Sequence, residues 1–163
     1  MADLTHLMFW AVLGHFIGDY LLQNKWMLSK SEKGTWGALV CIIHSFIYSL
    51  AVTLVVSLYF YGSLLNSLRG PLVLTMVFLT HYPIDRWSLA TKWLKWIKGR
   101  RLDRFDDMYQ ESYSGYLSRV SNVSNIATQQ AFAAIVYTIA DNTTHILLMI
   151  AGFATLLYYG MLP

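Results

Sequence analysis

Three pairs of histidine and aspartate in this sequence have their two residues four positions apart, and a further histidine lies between the first two pairs. Residues four apart on a helix share one face, about one turn apart. Imidazole and carboxylate groups without thiolates suit zinc, manganese, iron or nickel. Residue types and spacing therefore predict ligands of a divalent metal, and the candidates are His15, Asp19, His44, His81, Asp85, Asp141 and His145.

Seven candidate ligands exceed the four that one tetrahedral zinc site needs. We therefore expect one or two ions, with zinc as the first candidate and a carboxylate bridge between two metals. One of the three carboxylates could instead serve as the general base, and the sequence leaves open which one. Simpler interpretations exist for each group alone: a lone histidine can pack within a bundle, the pairs can be salt bridges, and Asp141 can cap a helix.

The segments that carry these residues are apolar enough to lie in a lipid bilayer. Of the 163 residues, 56% are hydrophobic and 13% are charged, whereas roughly a quarter of residues are charged in soluble domains. Several apolar runs approach the length of about 20 residues that crosses a membrane as a helix. The composition predicts an integral membrane protein and excludes an ordinary soluble domain.

The fold class predicted is all-α, a polytopic bundle of about four crossings forming a single integral membrane domain over residues 1–163. We expect the third crossing to be interrupted by Pro83, and the last apolar stretch to break at Asp141–His145. The arm before that break would be a short interfacial or re-entrant helix. A basic aromatic interfacial segment is expected over 92–125. The crossings are predicted over 4–22, 38–61, 71–93 and 143–161.

The distribution of lysine and arginine predicts the orientation of the chain in the membrane. The connector after the first crossing carries Lys25, Lys30 and Lys33, and the segment 86–104 is also basic, whereas the loop before the third crossing has only Arg69. The positive-inside rule places both basic connectors in the cytoplasm and both termini outside. That orientation puts all seven candidate ligands in one layer on the cytoplasmic side, which favours a shared site over separate packing roles.

Partners follow from the same features. The lipid bilayer is the first, and the basic stretch from Lys92 to Arg104 is read as a membrane-surface anchor that could also attract an anionic substrate. Gln23 continues the His15/Asp19 face, and Gln23 and Arg86 are candidates to orient that substrate. No feature points to nucleic acid. The one cysteine, Cys41, allows no disulfide within the chain, and the oligomeric state is not indicated.

Four motifs together carry a resemblance: GHFIGDYLLQNKWMLSKSEKG, IIHS, LTHYPIDRW and IADNTTH. The chain resembles the small prokaryotic and phage membrane proteins grouped as domain of unknown function 3307. Asn142 stands where that family's pattern usually has glutamine. The resemblance implies a place in the prokaryotic inner membrane. The family is distantly similar to membrane-bound predicted metal-dependent hydrolases, which implies hydrolysis as an activity.

Three functions are compatible with this pattern. The first is a membrane-embedded metal-dependent hydrolase, with its site at the cytoplasmic side, acting on a phosphodiester or phospholipid-type substrate. In it, Asp19, Asp85, Gln23 and Arg86 would contribute to catalysis. The second is an ion-handling protein that moves metal or protons along the same residues, although the outer halves of the second and fourth crossings offer only Thr, Ser and Gly. The third is a non-catalytic, metal-stapled membrane protein, in which the metal only holds the helices together.

Overall fold

Every element of regular structure in the described residues is helical, which confirms the all-α class. The computed structural model describes residues 3–60, 62, 64–65, 67–98 and 119–162. A π-helical segment, Ile17–Leu21, follows helix α1, and a 3-10 helix, Lys25–Ser31, precedes helix α2. The five α-helices are α1 Leu4–Phe16, α2 Thr35–Tyr59, α3 Arg69–Arg86, α4 Leu89–Lys98 and α5 Arg119–Tyr158.

The chain divides into two compact units. The first comprises Met1–Ser88 and Thr144–Pro163, and the second comprises Leu89–Thr143. The second unit contains α4 and most of α5, with Ala90, Leu94 and Ala140 packed together. That all residues belong to one membrane domain stays a prediction. The first unit has a larger apolar core, which includes Leu7, Ala11, Tyr48, Val52, Val56, Val73, Val77, Met149 and Phe153.

The first apolar segment is not α-helical to its end. Asp3 caps α1 by accepting a hydrogen bond from the Thr5 N–H at 3.0 Å. After Phe16 the chain widens into the π-helical segment, which ends where the Leu22 N–H donates to the carbonyl of Ile17, five residues earlier, at 3.0 Å. Single π turns inside helices are rare and frequently mark functional sites. Asp19 lies in this turn.

Two glycines allow α1 to approach α2 closely. A Cβ atom on Gly14 would lie 2.7 Å from the Cα of Val52, and one on Gly18 would lie 2.8 Å from the Tyr48 ring. Small residues four apart are a common device for close helix packing in membranes. The close approach sets the distance between the histidine-bearing faces of the two helices.

The connector between α1 and α2 folds back onto the bundle. Its 3-10 helix buries Met27, which is 1% exposed. Gly34, the residue before α2, has a φ of 100°, a left-handed conformation that favours glycine. The lysine at position 30 is thereby carried toward the helices and away from bulk solvent.

The helix of the third predicted crossing, expected to run to residue 93, ends earlier. Helix α3 continues through Pro83 but ends at Arg86, and Trp87 and Ser88 form a turn in which Ser88 has a φ of 45°. The Trp87 N–H donates to the Pro83 carbonyl at 3.2 Å within this turn. A separate helix, α4, begins after it, with Trp96 84% exposed and Leu94 only 3% exposed.

The helix break predicted at Asp141–His145 is wrong, because α5 is one helix of 40 residues. Its polar side chains bond to their own backbone: Asn142 donates to the Thr138 carbonyl and Thr143 to the Ile139 carbonyl, both at 2.7 Å. Such bonds four residues back satisfy Asn and Thr inside a helix without interrupting it. The predicted basic interfacial segment, 92–125, is described only over 92–98 and 119–125.

Two helical segments among the described residues are long and apolar enough to cross a membrane. They are Thr35–Tyr59 and the Ala134–Tyr158 part of α5, with mean hydropathies of 2.3 and 1.3. Helix α1, with 13 residues, falls short of the crossing length by itself. Length and composition thus support two of the four predicted crossings.

Candidate metal centre

Four of the predicted ligands converge in the first unit. Asp19 comes from the π-helical turn, His44 from α2, and His81 and Asp85 from successive turns of α3. One nitrogen or oxygen atom from each of the four side chains lies within 4.8 Å of the other three. The three α-helical residues are buried, and the side chain of Asp19 is 9% exposed. We call these four residues the ligand cluster.

The spacing within the ligand cluster fits a single ion. His44 Nε2 lies 3.2 Å from Asp19 Oδ1, 3.0 Å from Asp85 Oδ2 and 3.1 Å from His81 Nε2, which is itself 3.1 Å from Asp85 Oδ2. Four ligand atoms about 2.0–2.1 Å from one zinc ion in a tetrahedron lie about 3.3 Å apart. Because one imidazole nitrogen carries at most one hydrogen, hydrogen bonds cannot account for all these contacts at once.

Lys30, which the sequence indicated only as part of a basic connector, reaches the ligand cluster. Lys30 Nζ lies 2.7 Å from Asp85 Oδ2, 3.1 Å from His44 Nε2 and 3.9 Å from Asp19 Oδ1. The residue types gave no hint of this, since a basic connector normally lies in solvent. Its only signal was the shortness of the connector, which keeps Lys30 close to the end of the first candidate ligand segment and the start of α2.

Gln23, predicted to contact substrate, lies beside this lysine. Its Oε1 accepts a hydrogen bond from Lys30 Nζ at 3.3 Å. The amide therefore orients the ammonium group at the edge of the ligand cluster. A direct role of Gln23 toward substrate stays a prediction.

Tyr48 packs against the ligand cluster, and the sequence did not predict this contact. Its ring stacks on His81, with centroids 3.6 Å apart and planes 15° from parallel, and its hydroxyl lies 2.9 Å from His15 Nδ1. The available signal was its position one helical turn after His44. His15 thus contacts the tyrosine, with Asp19 Oδ2 further away at 3.7 Å. It is not among the four residues of the ligand cluster.

Comparison with known proteins supports the resemblance. A sequence model of the family described as "Protein of unknown function (DUF3307)" matches residues 7–161. The chain belongs to the DUF3307 family. No curated protein and no solved structure matches this DUF3307 protein. The match spans every candidate ligand, and it leaves the activity to be argued from the site itself.

His145 of the DUF3307 protein borders the ligand cluster. Its Nε2 lies 3.7 Å from Asp85 Oδ1, and its ring centroid is 4.5 Å from that of His81 and 5.4 Å from that of His15. The first unit therefore brings six of the seven predicted ligands near one another. Asp141 belongs to the second unit, one turn before His145 along α5, and its role as a ligand stays a prediction.

Arg86, the other candidate for substrate binding, contacts the connector. Its guanidinium donates to the carbonyl of Glu32 at 2.8 Å and to that of Gly34 at 3.4 Å. These bonds fasten the start of α2 to the end of α3, next to Asp85. The contacts give Arg86 a structural task, and a substrate contact by Arg86 stays a prediction.

Proposed function

We propose that this DUF3307 protein is a membrane-embedded metal-dependent hydrolase acting on a phosphodiester or phospholipid-type substrate. The observation that carries the proposal is the convergence of two imidazoles and two carboxylates at the spacing of ligands around one ion. Structural zinc sites typically use cysteine, whereas histidine and carboxylate sets with an open position are typical of catalytic zinc. The ligand types of the cluster therefore favour catalysis over a structural staple, and an ion held by three of the four residues, or by all four in five-coordination, would keep a position for water.

The surface of the first unit supports a membrane location. Large apolar side chains of α2, such as Leu39, Phe46 and Leu58, are 48%, 50% and 62% exposed, while His44 and Ser49 on the same helix are buried. Exposed apolar area on this scale is unusual for a soluble protein. Buried ionisable groups surrounded by an apolar exterior are typical of functional sites inside membranes. We propose four crossings in the prokaryotic inner membrane, with both termini outside the cytoplasm.

The residues of the site suit hydrolysis of an anionic ester. A bound divalent ion, zinc first, would polarise the scissile group and lower the pKa of a bound water to about 7. Asp19 and Asp85 would neutralise that ion. His145, whose Nε2 lies 3.7 Å from Asp85 Oδ1, borders the cluster and would be a candidate to accept a proton from that water. Asp19, with 9% of its side chain exposed, and Lys30, with 18%, mark the edge from which substrate would approach.

Elemental analysis tests the proposal first. We expect the wild-type protein, purified without chelator, to carry one to two equivalents of divalent metal, and His81→Ala to lose it. His6→Ala is the matched control, because the His6 side chain is 75% exposed and bonds only to Asp3 among the contacts described. A wild-type protein without bound metal would end the hydrolase proposal.

Activity is the second test. We expect metal-loaded protein to cleave bis(p-nitrophenyl) phosphate or a short-chain phospholipid, and His81→Ala to be slower by at least about 100-fold in kcat/KM. His6→Ala should retain the wild-type rate. Bound metal together with inactivity toward every phosphodiester and phospholipid tried would favour the metal-stapled alternative.

Ion handling is a second candidate, favoured by one observation. Buried hydroxyls continue from His44 along one face of α2, at Ser45, Ser49, Thr53 and Ser57. However, Ser49 and Ser57 each donate to a carbonyl of their own helix at 2.6 Å. These two hydroxyls are thus engaged with backbone, and we rank transport below hydrolysis. Uptake of metal by reconstituted vesicles would reverse that ranking.

A further inference from the structure

The ammonium of Lys30 contacts three of the four atoms at which the ligand cluster would hold an ion. Its Nζ lies 2.7 Å from Asp85 Oδ2, 3.1 Å from His44 Nε2 and 3.9 Å from Asp19 Oδ1. The side chain of Lys30 is 18% exposed, whereas those of Asp85 and His44 are 3% and 1% exposed. A cation of the chain itself thus contacts the atoms that a metal would need.

The contacts of Lys30 and a bound ion exclude one another at His44. A ring nitrogen of histidine either carries one hydrogen or offers one lone pair, so it serves one partner at a time. The ammonium can only donate, and a metal likewise needs the lone pair of His44 Nε2. The contact with Asp85 Oδ2 is short, as charge-assisted hydrogen bonds are, and the ammonium would repel an ion bound at the same oxygen.

We propose that Lys30 competes with metal for the ligand cluster, so that an ion has to displace its ammonium in order to bind. The lysine thereby sets the affinity of the site, because the free energy of its contacts opposes the binding of every ion. This rests on the metal site of the proposed function, and it holds for any reaction that the loaded site performs. Wherever the ammonium pairs after displacement, its contact with His44 Nε2 is lost.

The backbone on both sides of Lys30 is fastened, so the side chain alone can withdraw. Met27, three residues earlier, is buried and only 1% exposed. The carbonyl of Glu32, two residues later, accepts a hydrogen bond from the Arg86 guanidinium at 2.8 Å. A lysine side chain has a flexible four-carbon stem, and Gln23 Oε1, 3.3 Å from Nζ, is an acceptor outside the ligand cluster. Metal can therefore enter without movement of the 3-10 helix.

Zinc affinity and the stability of the metal-free protein together test the assignment. The wild type, Lys30→Met and Lys25→Met would be stripped of metal with a chelator in detergent. Zinc affinity would then be measured by competition with a chromophoric chelator, and thermal unfolding would be followed with and without zinc. Lys25 is the matched control, since it is an exposed lysine of the same 3-10 helix, and its removal measures the effect of a lost charge at a distance.

We expect Lys30→Met to bind zinc about tenfold or more tightly than wild type, as for the loss of a competing hydrogen bond from a charged donor. Without metal, the same variant should unfold at a lower temperature than wild type, because Asp85 then lacks its 2.7 Å ionic contact. The rise in unfolding temperature on adding zinc should therefore be larger in Lys30→Met than in wild type. Lys25→Met should match wild type in both measurements.

Three results would overturn the assignment, and in each a zinc-binding wild type leaves the proposed metal site standing. One is a zinc affinity of Lys30→Met equal to that of wild type or Lys25→Met. Another is weaker zinc binding by Lys30→Met, which would make the lysine a support for the ligands. The third is a metal-free Lys30→Met protein as stable as metal-free wild type. Zinc bound by Lys30→Met but not by wild type would support the assignment and end the hydrolase proposal, whereas zinc bound by neither overturns both.

Discussion

His44 and His81 point their Nε2 atoms at each other across α2 and α3, 3.1 Å apart. Both side chains are only 1% exposed. The same Asp85 oxygen lies 3.0 Å from the first nitrogen and 3.1 Å from the second. Lone pairs that meet in this way repel one another unless a proton or a cation lies between them. The relationship is therefore compatible with either a shared proton or a bound cation at this place.

The Asp85→Asn variant should lose both metal and stability. Asp85 contacts His44, His81 and Lys30, and removing one partner of a buried ionic network costs about 3–5 kcal/mol. Adding Lys30→Met should recover part of the loss, because the two buried charges then disappear together. Thermal unfolding in detergent and elemental analysis measure the two effects.

Asp3→Asn is the control for that series, because Asp3 is an exposed helix cap and asparagine caps nearly as well. Its unfolding temperature should stay close to that of wild type. An Asp85→Asn protein with normal stability and normal metal content would contradict the geometry of the ligand cluster.

A methyl group at Gly14 should separate α1 from α2. The new Cβ would lie 2.7 Å from the Cα of Val52, and backbone cannot yield as a side chain can. We expect a loss of about 1–3 kcal/mol in stability and weaker metal binding, because Asp19 follows on the same segment. Gly152→Ala is the matched control: its Cβ would meet the end of the flexible Met76 side chain. Equal losses in the two variants would argue against close packing as the cause.

The hydroxyl and the ring of Tyr48 should contribute separately to stability and to metal binding. Tyr48→Phe removes the hydroxyl contacts with His15 Nδ1 and Met149 Sδ but keeps the ring stacked on His81. We expect a stability loss of about 1 kcal/mol, as for one hydrogen bond, with metal content unchanged. Tyr48→Ala should also weaken metal binding, because His81 loses the surface that orients it.

His15→Ala should likewise keep its metal, since His15 lies outside the four-residue ligand cluster. Elemental analysis of Tyr48→Phe, Tyr48→Ala and His15→Ala measures the metal content of each variant and tests these expectations. Loss of metal in His15→Ala alone would restore His15 as a ligand, as the sequence first indicated.

Reporter fusions test the orientation. We expect alkaline phosphatase fused after residue 162 to be active and green fluorescent protein at the same point to be dark, because the C-terminus is predicted outside the cytoplasm. Fusions after Lys98 should behave in the opposite way. A fluorescent C-terminal fusion would place the candidate metal centre on the other side of the membrane.

The residues of the ligand cluster were predictable because ionisable groups are rare in apolar segments and therefore conspicuous. His44, His81 and Asp85 needed only the helical period to be placed on inward faces. Asp19 was predicted for a regular α-helix, and the structure delivers it from a π turn. The break expected at Asp141–His145 failed because Asn142 and Thr143 are satisfied by their own helix, a local choice that polarity alone does not reveal.

By itself, the sequence determined the all-helical class, the family and which side chains had to find ionic partners. Burying an imidazole or carboxylate among apolar residues is costly. A histidine or aspartate within an apolar run can therefore be identified from the sequence as a residue that needs a partner. Only the tertiary structure decided that Lys30 joins these groups, that Tyr48 stacks on His81 and that His15 turns to a hydroxyl. Those outcomes depend on the distances between helices. Contacts between residues far apart in the chain set these distances, and no local sequence pattern records them.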